Sequence, residues 1–342
     1  EDILRIYGYN NVEIPTELKS SLTIAEEADK NYHRENIIGE QLVGAGFSEI
    51  MNNSLTKSSY YEETGLNAYP WEETVKVMNP LSADLGVMRQ TLLFGGLESI
   101  VRNVNRKAQN LRFFEVGNVY KFNKEKWSEE SPVKAYSQDY HMALWVTGKR
   151  VQGSWAHPDE ESTFYELKAY VENILRRIGI AQGLLVSEKS DNNVFDKAIV
   201  LKTRAGKVLV EMGILSHKLL KSFNIDQKVY YAELDWAGLM KAIRKNKLQF
   251  QEISKYPAVS RDLALLVDNN VEFAQIEEIA RQADKKLLKR VELFDVYQGK
   301  NLPEGKKSYA VNFILQDESK TLNDKAIDAI MQKLIKNLTN KL

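Results

Sequence analysis

Few residues in this chain have the type and spacing to do chemistry. With no cysteine in 342 residues, disulfides, thiolate nucleophiles and Cys-held zinc are excluded together. His33, His141, His157 and His217 fall on separate elements, and only His157-x-x-Glu160 has even the spacing of a ligand pair, in what reads as a surface loop. Gly95-Gly96 and Gly183 lack the Gly-Lys-Ser/Thr context that cradles phosphates, so nucleotide hydrolysis is not expected. Three groups remain. Glu1 and Asp2 open a short helix, where the macrodipole favours acids. Arg112 and Glu115 share a stretch rich in aromatic and branched residues. Either their charges alternate outward on a half-buried strand, or they form a site; three residues apart, they point to opposite faces. Lys285, Lys286, Lys289 and Arg290 cluster in one segment, with Arg281 one helical turn before Lys285. Such a run is ordinarily a solvated face, and because its surroundings are nearly charge-balanced, any case for phosphate contact rests on the clustering.

The elements that must position these groups follow from patterning. At this length more than one core is expected. Hydrophobic residues at 43% and charged residues at 27% sit near globular averages. Lysine and arginine total 47, as do aspartate and glutamate, so bulk charge does not coat nucleic acid and any contact must be local. The start has no basic region followed by an apolar core, so it is no signal peptide and reads as a cut inside a helix. No apolar run approaches the roughly 20 residues of a membrane span, and the missing cysteines fit a reducing, cytoplasmic setting.

Residues 1–8 read as a helix stopped by Gly8. Helices are predicted over 25–46, 91–106, 164–178 and 217–223, and strands at 47–51, 111–120, 141–147, 198–202, 207–215 and 229–234, with a charged loop over 123–139. The clearest helix carries Phe164, Leu167, Val171, Ile174, Leu175 and Ile178 at a helical period. A polar, basic run at 244–247 marks a boundary. Beyond it, strand 263–267, helix 273–283, strands 293–297 and 309–315 and helix 323–338 give the order βαββα of a ferredoxin-like unit. The division is 1–20 as the end of another domain and a linker, 21–246 as a mixed α+β layer, and 247–342 as the small last domain.

Residues 111–120 resemble the second signature motif of class II aminoacyl-tRNA synthetases, in which an Arg and a Glu on an antiparallel strand grip ATP and the adenylate. Arg5-Ile6-Tyr7-Gly8-Tyr9-Asn10, Asn79-Pro80-Leu81-Ser82, Met88-Arg89, residues 112–120 and Tyr256-Pro257-Ala258-Val259-Ser260-Arg261-Asp262-Leu263-Ala264 occur in that order. Together they are similar to the β-subunit family of bacterial phenylalanyl-tRNA synthetases, over essentially the whole chain. The resemblance implies an α+β fold. Residues 1–20 would end a winged-helix-like domain, 21–246 would form a degenerate, noncatalytic class II antiparallel sheet with helices, and 247–342 a ferredoxin-fold anticodon-binding domain.

It further implies a catalytic α subunit as partner, tRNA(Phe) as ligand, a heterotetramer of two α and two β chains, and ATP and Mg²⁺ used by the assembled ligase. Glu1 and Asp2 match positions where the family places acids near a magnesium ion. Arg261, Arg281, Lys285, Lys286, Lys289 and Arg290 would face RNA. The family's editing domain lies upstream of residue 1. Two departures leave this chain with no catalytic residue of its own. The strand over 230–235 runs on without the Gly-x-Gly and Arg that ATP phosphates require, and Arg112 to Glu115 is one residue longer than the usual Arg-x-Glu. The alternative is a free-standing regulatory or RNA-binding protein that reuses an inactive synthetase fold.

Overall fold

The first helix, α1 (Asp2–Tyr7), stops where Gly8 takes a φ of 89° and returns its N–H to the Leu4 carbonyl. The structure is a computed structural model that describes residues 1–14, 16–17, 27–180, 183–244, 252–299 and 302–342. The chain divides into two compact units, Glu1–Lys247 and Leu248–Leu342. The predicted boundary between 246 and 247 lies outside the described residues, as do the end of the predicted linker and the start of the predicted helix at 25.

In chain order the first unit continues with α2 (Glu27–Gly44), β1 (Ser48–Glu49), β2 (Leu55–Thr56), α3 (Ser59–Glu62), β3 (Val87–Met88), α4 (Leu93–Val104), β4 (Leu111–Phe122) and β5 (Tyr136–Thr147). A ribbon of β6 (Lys149–Val151) and β7 (Glu160–Glu161) leads into α5 (Phe164–Arg177). Then come β8 (Leu185–Lys189), β9 (Phe195–Thr203), β10 (Val208–Leu215), α6 (His217–Ser222), β11 (Val229–Asp235) and α7 (Trp236–Ile243). Seven strands form one sheet in the order β1-β4-β5-β11-β10-β9-β8, antiparallel throughout except that β1 runs parallel to β4.

Strand periodicity distributes β4 between two cores. Phe113 and Val119 join the one built with α4 and α6, and Phe114 joins the one built with α2, α5 and α7. Because helices cover both faces, the central strands read as near-continuous apolar runs. The α5 helix forms where its sequence directs it. Thr163 caps the Glu166 N–H, two arginines close the last turn, and Leu167, Val171, Ile174 and Leu175 are buried. Elsewhere the structure departs from the prediction. β5 begins at Tyr136, shortening the predicted loop, because residues 136–139 extend the hairpin as exposed strand. The predicted sheet also lacked β8, whose last four residues are exposed.

The second unit has β12 (Val259–Asp268), α8 (Phe273–Ala283), β13 (Leu288–Tyr297), β14 (Lys306–Leu315) and α9 (Asp324–Lys341). This is the predicted βαββα order. The strands pair antiparallel in the order β12-β14-β13. Buried residues of both helices pack on one face of the sheet, against Val267, Val291, Val311, Phe313 and Leu315. Among the described residues no helix is long and apolar enough to cross a membrane.

Candidate functional site

On the first unit's sheet, Arg112 and Glu115 do lie on opposite faces. Arg112 turns to the α5 side, where its guanidinium meets Glu166 at 3.1 Å. Glu115 turns to the α4 side and is 2% exposed. Its partner there is Arg89, itself 7% exposed, at 2.6 Å. The Asn52 side-chain amide donates to the other carboxylate oxygen at 2.6 Å, while Arg89 Nε donates to the Asn118 carbonyl at 2.9 Å. The charges of this strand therefore do not alternate outward, because helices cover both faces of the sheet. A buried pair of this kind persists only when its remaining hydrogen-bonding groups are also answered.

A second polar knot lies on the same face. The Glu233 carboxylate, at the end of β11, accepts from Thr91 Oγ1 at 2.6 Å and from the Tyr231 hydroxyl at 2.6 Å, and it meets His141 Nδ1 at 2.8 Å. Burial works to raise the Glu233 pKa, yet His141 and the hydroxyl donors hold it below the usual carboxylate range. Burial likewise works to lower the His141 pKa, and Glu233 overrides it and raises the imidazole above its ordinary value. Directly across from Glu233, Glu211 is pushed up by burial, with the Glu233 charge adding to the effect while Ser190 and Asn192 donate hydrogen bonds against it. The helix lid is close. A Cβ on Gly96 of α4 would come within 2.1 Å of the Trp145 ring.

This face can hold charge but has little to offer a ligand. At its margin lies a cleft of about 550 Å³ lined by Tyr60, Glu63, Asn193, Phe195, Lys218 and Phe223. Sequence reasoning placed Arg89 only within a motif and missed Glu233 and His141 as a pair.

The second unit has the opposite character. Its sheet face away from α8 and α9 carries Ser260, Asp262, Ala264 and Leu266 on β12. Ser308, Ala310, Asn312 and Ile314 lie on β14, and Arg290, Glu292, Asp295 and Tyr297 on β13. Small side chains, Ala264, Ser308 and Ala310, floor the middle. Leu266 is 51% and Tyr297 44% exposed. The Asn312 amide donates to Asp262 Oδ1 at 2.5 Å, and Asp262, Glu292 and Asp295 keep acceptor oxygens on the surface.

The predicted RNA-facing residues do not form one patch here. Lys285 and Lys286 are exposed in the turn after α8. Lys289 and Arg290 lie inside β13, which begins five residues before the predicted strand, so they share a strand rather than a loop edge. Lys289 is held by Glu318 at 2.7 Å, Arg290 by Glu292 at 3.2 Å and Arg281 by Glu277 at 2.7 Å. Arg261 pairs in register with Phe313, on the helix side of the sheet, whereas Arg290 pairs with Ile314 on the open side. The open-face residues were missed in the sequence, although the alternation over β14, with every second residue buried, was a signal for them.

Glu1 occupies the N-cap position of α1 without a side-chain cap bond, its carboxylate lies 3.7 Å from Arg5, and Glu1 and Asp2 are both exposed. Among the described residues there is no group of three or more His, Asp or Glu side chains that could hold a metal ion.

Comparison with known proteins follows the same two-part division. Residues 14–236 match the family model described as the phenylalanyl tRNA synthetase beta chain CLM domain. Residues 254–342 match the ferredoxin-fold anticodon binding domain. Phenylalanine–tRNA ligase beta subunits are similar along the whole chain: 60% identical in Bacteroides thetaiotaomicron, 59% in Bacteroides fragilis and 51% in Porphyromonas gingivalis. Each match spans 100% of this chain and 42% of the relative, so the chain corresponds to about two fifths of their length. A crystal structure of pyrrolysyl-tRNA synthetase from Desulfitobacterium hafniense is similar at a TM-score of 0.46 and 14% identity, over 63% of this chain and 69% of that one. A likeness that weak carries no argument.

Proposed function

The chain belongs to the phenylalanyl-tRNA synthetase β-chain family, and on that premise we propose that it is a noncatalytic part of a phenylalanine–tRNA ligase that holds tRNA(Phe) for a catalytic α subunit. The observation that carries this reading is the bare sheet face of the second unit. A strand surface with an exposed aromatic ring, small floor residues and ordered acceptors suits unstacked bases, which bind by stacking and by hydrogen bonds along their edges. Its carboxylates argue against simple phosphate binding there and favour base edges that donate. Tyr297 would stack, and Asp262, Glu292 and Asn312 would meet base edges. Lys285, Lys286, Lys289, Arg290, Arg281 and Arg261 would supply backbone contacts around it.

The first unit would serve as scaffold and α-subunit partner. Its sheet charges answer one another internally, which supports the reading that ATP-dependent activation of phenylalanine belongs to the partner chain. The division proposed is the end of a winged-helix-like domain and a linker over 1–20, the noncatalytic layer over 21–246 and the anticodon-binding domain over 247–342, in a cytoplasmic heterotetramer of two α and two β chains. ATP and Mg²⁺ would be used by the assembled ligase. Glu1 and Asp2 do not make a magnesium site as they stand, being two exposed carboxylates with one tied to Arg5. No chemical step is assigned to them.

The test uses the complete α–β assembly. Tyr297→Ala and Asp262→Ala should raise the KM for tRNA(Phe) about tenfold or more, because each removes about 1–3 kcal/mol of base stacking or edge hydrogen bonding, while phenylalanine-dependent pyrophosphate exchange stays at wild-type rate. Unchanged tRNA kinetics in both variants would remove the proposed role of the open face. Failure of the β chain to bind any α chain would remove the assembly.

A further inference from the structure

We propose that the first unit carries an RNA-backbone surface of its own, on a ledge at the end of the sheet where α4 finishes and β4 begins. The proposal rests on the reading that the chain handles tRNA. Three connections are tied together there. The Lys149 N–H donates to Asn110 Oδ1 at 2.8 Å. Gln227 Nε2 donates to the Gln109 carbonyl at 3.0 Å and to Thr147 Oγ1 at 2.7 Å. The Thr147 hydroxyl in turn donates to the Lys228 carbonyl at 2.7 Å. The ledge is thus a fixed surface joined across residues 105–110, 147–150 and 226–228.

Its charge is one-sided. Arg102, Arg106, Lys107 and Lys228 are all exposed, and among the described residues none makes an ion pair with a carboxylate. Arg106 is braced over the helix end by a bond from its guanidinium to the Arg102 carbonyl at 3.2 Å. The neighbouring acids are mostly engaged. Asp159 and Glu160 hold Lys149 and Arg150, and Glu98 accepts the Tyr60 hydroxyl. Asp226, an exposed acid on the third connection, and Glu161, exposed across from Lys149, are the exceptions. In a chain with equal numbers of basic and acidic residues, four such cations on one ledge are not a consequence of composition.

Lys107 adds an independent sign. Its φ is 69°, a left-handed conformation that L side chains rarely adopt and that helix ends ordinarily give to Gly or Asn. A lysine stands there against the backbone's preference. The occupant is argued from what accompanies the cations. Exposed amides at Asn105, Gln109 and Asn110 supply the neutral donors that phosphate and sugar contacts use. Residues 102–110, 147–150 and 226–228 contribute none of the exposed large apolar side chains, whereas a protein partner would need an apolar or aromatic anchor. A phosphodiester backbone fits, read without sequence preference.

The experiment uses the full-length β chain in its α–β assembly, with tRNA(Phe) binding measured from about 50 to 200 mM salt. Combined Arg102→Ala, Arg106→Ala and Lys228→Ala should weaken binding about tenfold or more at the low-salt end. The log–log salt slope should flatten by roughly 0.7–0.9 for each phosphate that is no longer neutralised. Lys107→Gly should also weaken binding while raising the unfolding temperature, because glycine accepts that φ. This pairing separates a weakened RNA interface from a damaged fold. If both sets leave affinity and slope unchanged while Tyr297→Ala weakens binding, the ledge is an ordinary solvated surface and the inference fails. If Tyr297→Ala also has no effect, the proposed role of the second unit's open face falls with it, whereas an assembly that binds no tRNA(Phe) even before substitution would sink the tRNA-binding reading itself.

Discussion

The two sheets treat their polar side chains in opposite ways. In the first unit, Glu115, Arg89, Glu233 and His141 turn inward and bond to one another beneath α4. In the second, Asp262, Glu292, Asp295 and Tyr297 turn outward on a face that α8 and α9 leave bare. The difference follows from layering. A sheet covered on both sides must answer every charge internally or lose stability, while a sheet covered on one side can leave acceptors hydrated and ready for exchange. Polar residues on a sheet therefore mark a binding surface only where nothing of the chain's own lies over them.

The sharpest way to break this contrast is to remove one buried partner. Arg89→Ala leaves the Glu115 carboxylate in the core with Asn52 as its main donor, and loss of one member of such a pair costs about 3–5 kcal/mol. Urea unfolding should show the first unit's transition moving to much lower denaturant while the second unit's stays in place. A loss below about 1 kcal/mol would mean that the pair is hydrated and that the first sheet is more open than described. Gly96→Ala tests the lid. With its new Cβ within 2.1 Å of the Trp145 ring, α4 or the indole must shift, at a cost of about 1–3 kcal/mol, and neutral stability would show slack over the sheet.

A smaller effect is expected from pH. His141 is raised above its ordinary 6.5 by Glu233 acting against burial, so its contribution is fully present below about 6.5 and lost as pH rises through the higher folded value. Glu233 is held below its ordinary 4.5 despite burial, so its contribution is present above about 4.5 and lost as pH falls through the lower folded value. Both describe one bond, whose benefit is greatest between those two pH values. His141→Asn should flatten the decline in the first unit's urea midpoint as pH rises above about 6.5. A decline as steep as in the wild type would assign that pH dependence to other groups.

What the sequence disclosed depended on whether a residue's role was local. The α5 and α8 helices were legible because each buries one stripe and caps its own start. The α7 helix was not, although Trp236, Leu239, Met240 and Ile243 share one helical face, because it is only eight residues long and follows β11 without a break. Lys289 and Arg290 disguised the start of β13 as loop. The opposite facing of Arg112 and Glu115 follows from strand geometry alone, but their partners, Glu166 and Arg89, lie 54 and 26 residues away. His141 and Glu233 are 92 residues apart. Nothing in local patterning couples such pairs, so the buried network was invisible while the class of fold was not.

The smallest effect concerns the second unit's rim. Lys289 Nζ lies 2.7 Å from Glu318, a largely exposed carboxylate, and exposed pairs of this kind contribute about 0–1 kcal/mol. Glu318→Gln should therefore change the second unit's stability by less than about 1 kcal/mol. Its effect on RNA is what separates the two views of this lysine. If Lys289 contacts a phosphate, it must first leave Glu318, and neutralising that carboxylate both frees the ammonium and removes a repulsive charge. tRNA(Phe) affinity should then rise severalfold at low salt, with a steeper salt dependence. If the rim is only solvated, affinity and slope will stay as they were, and the binding surface of this unit contracts to the open face around Tyr297.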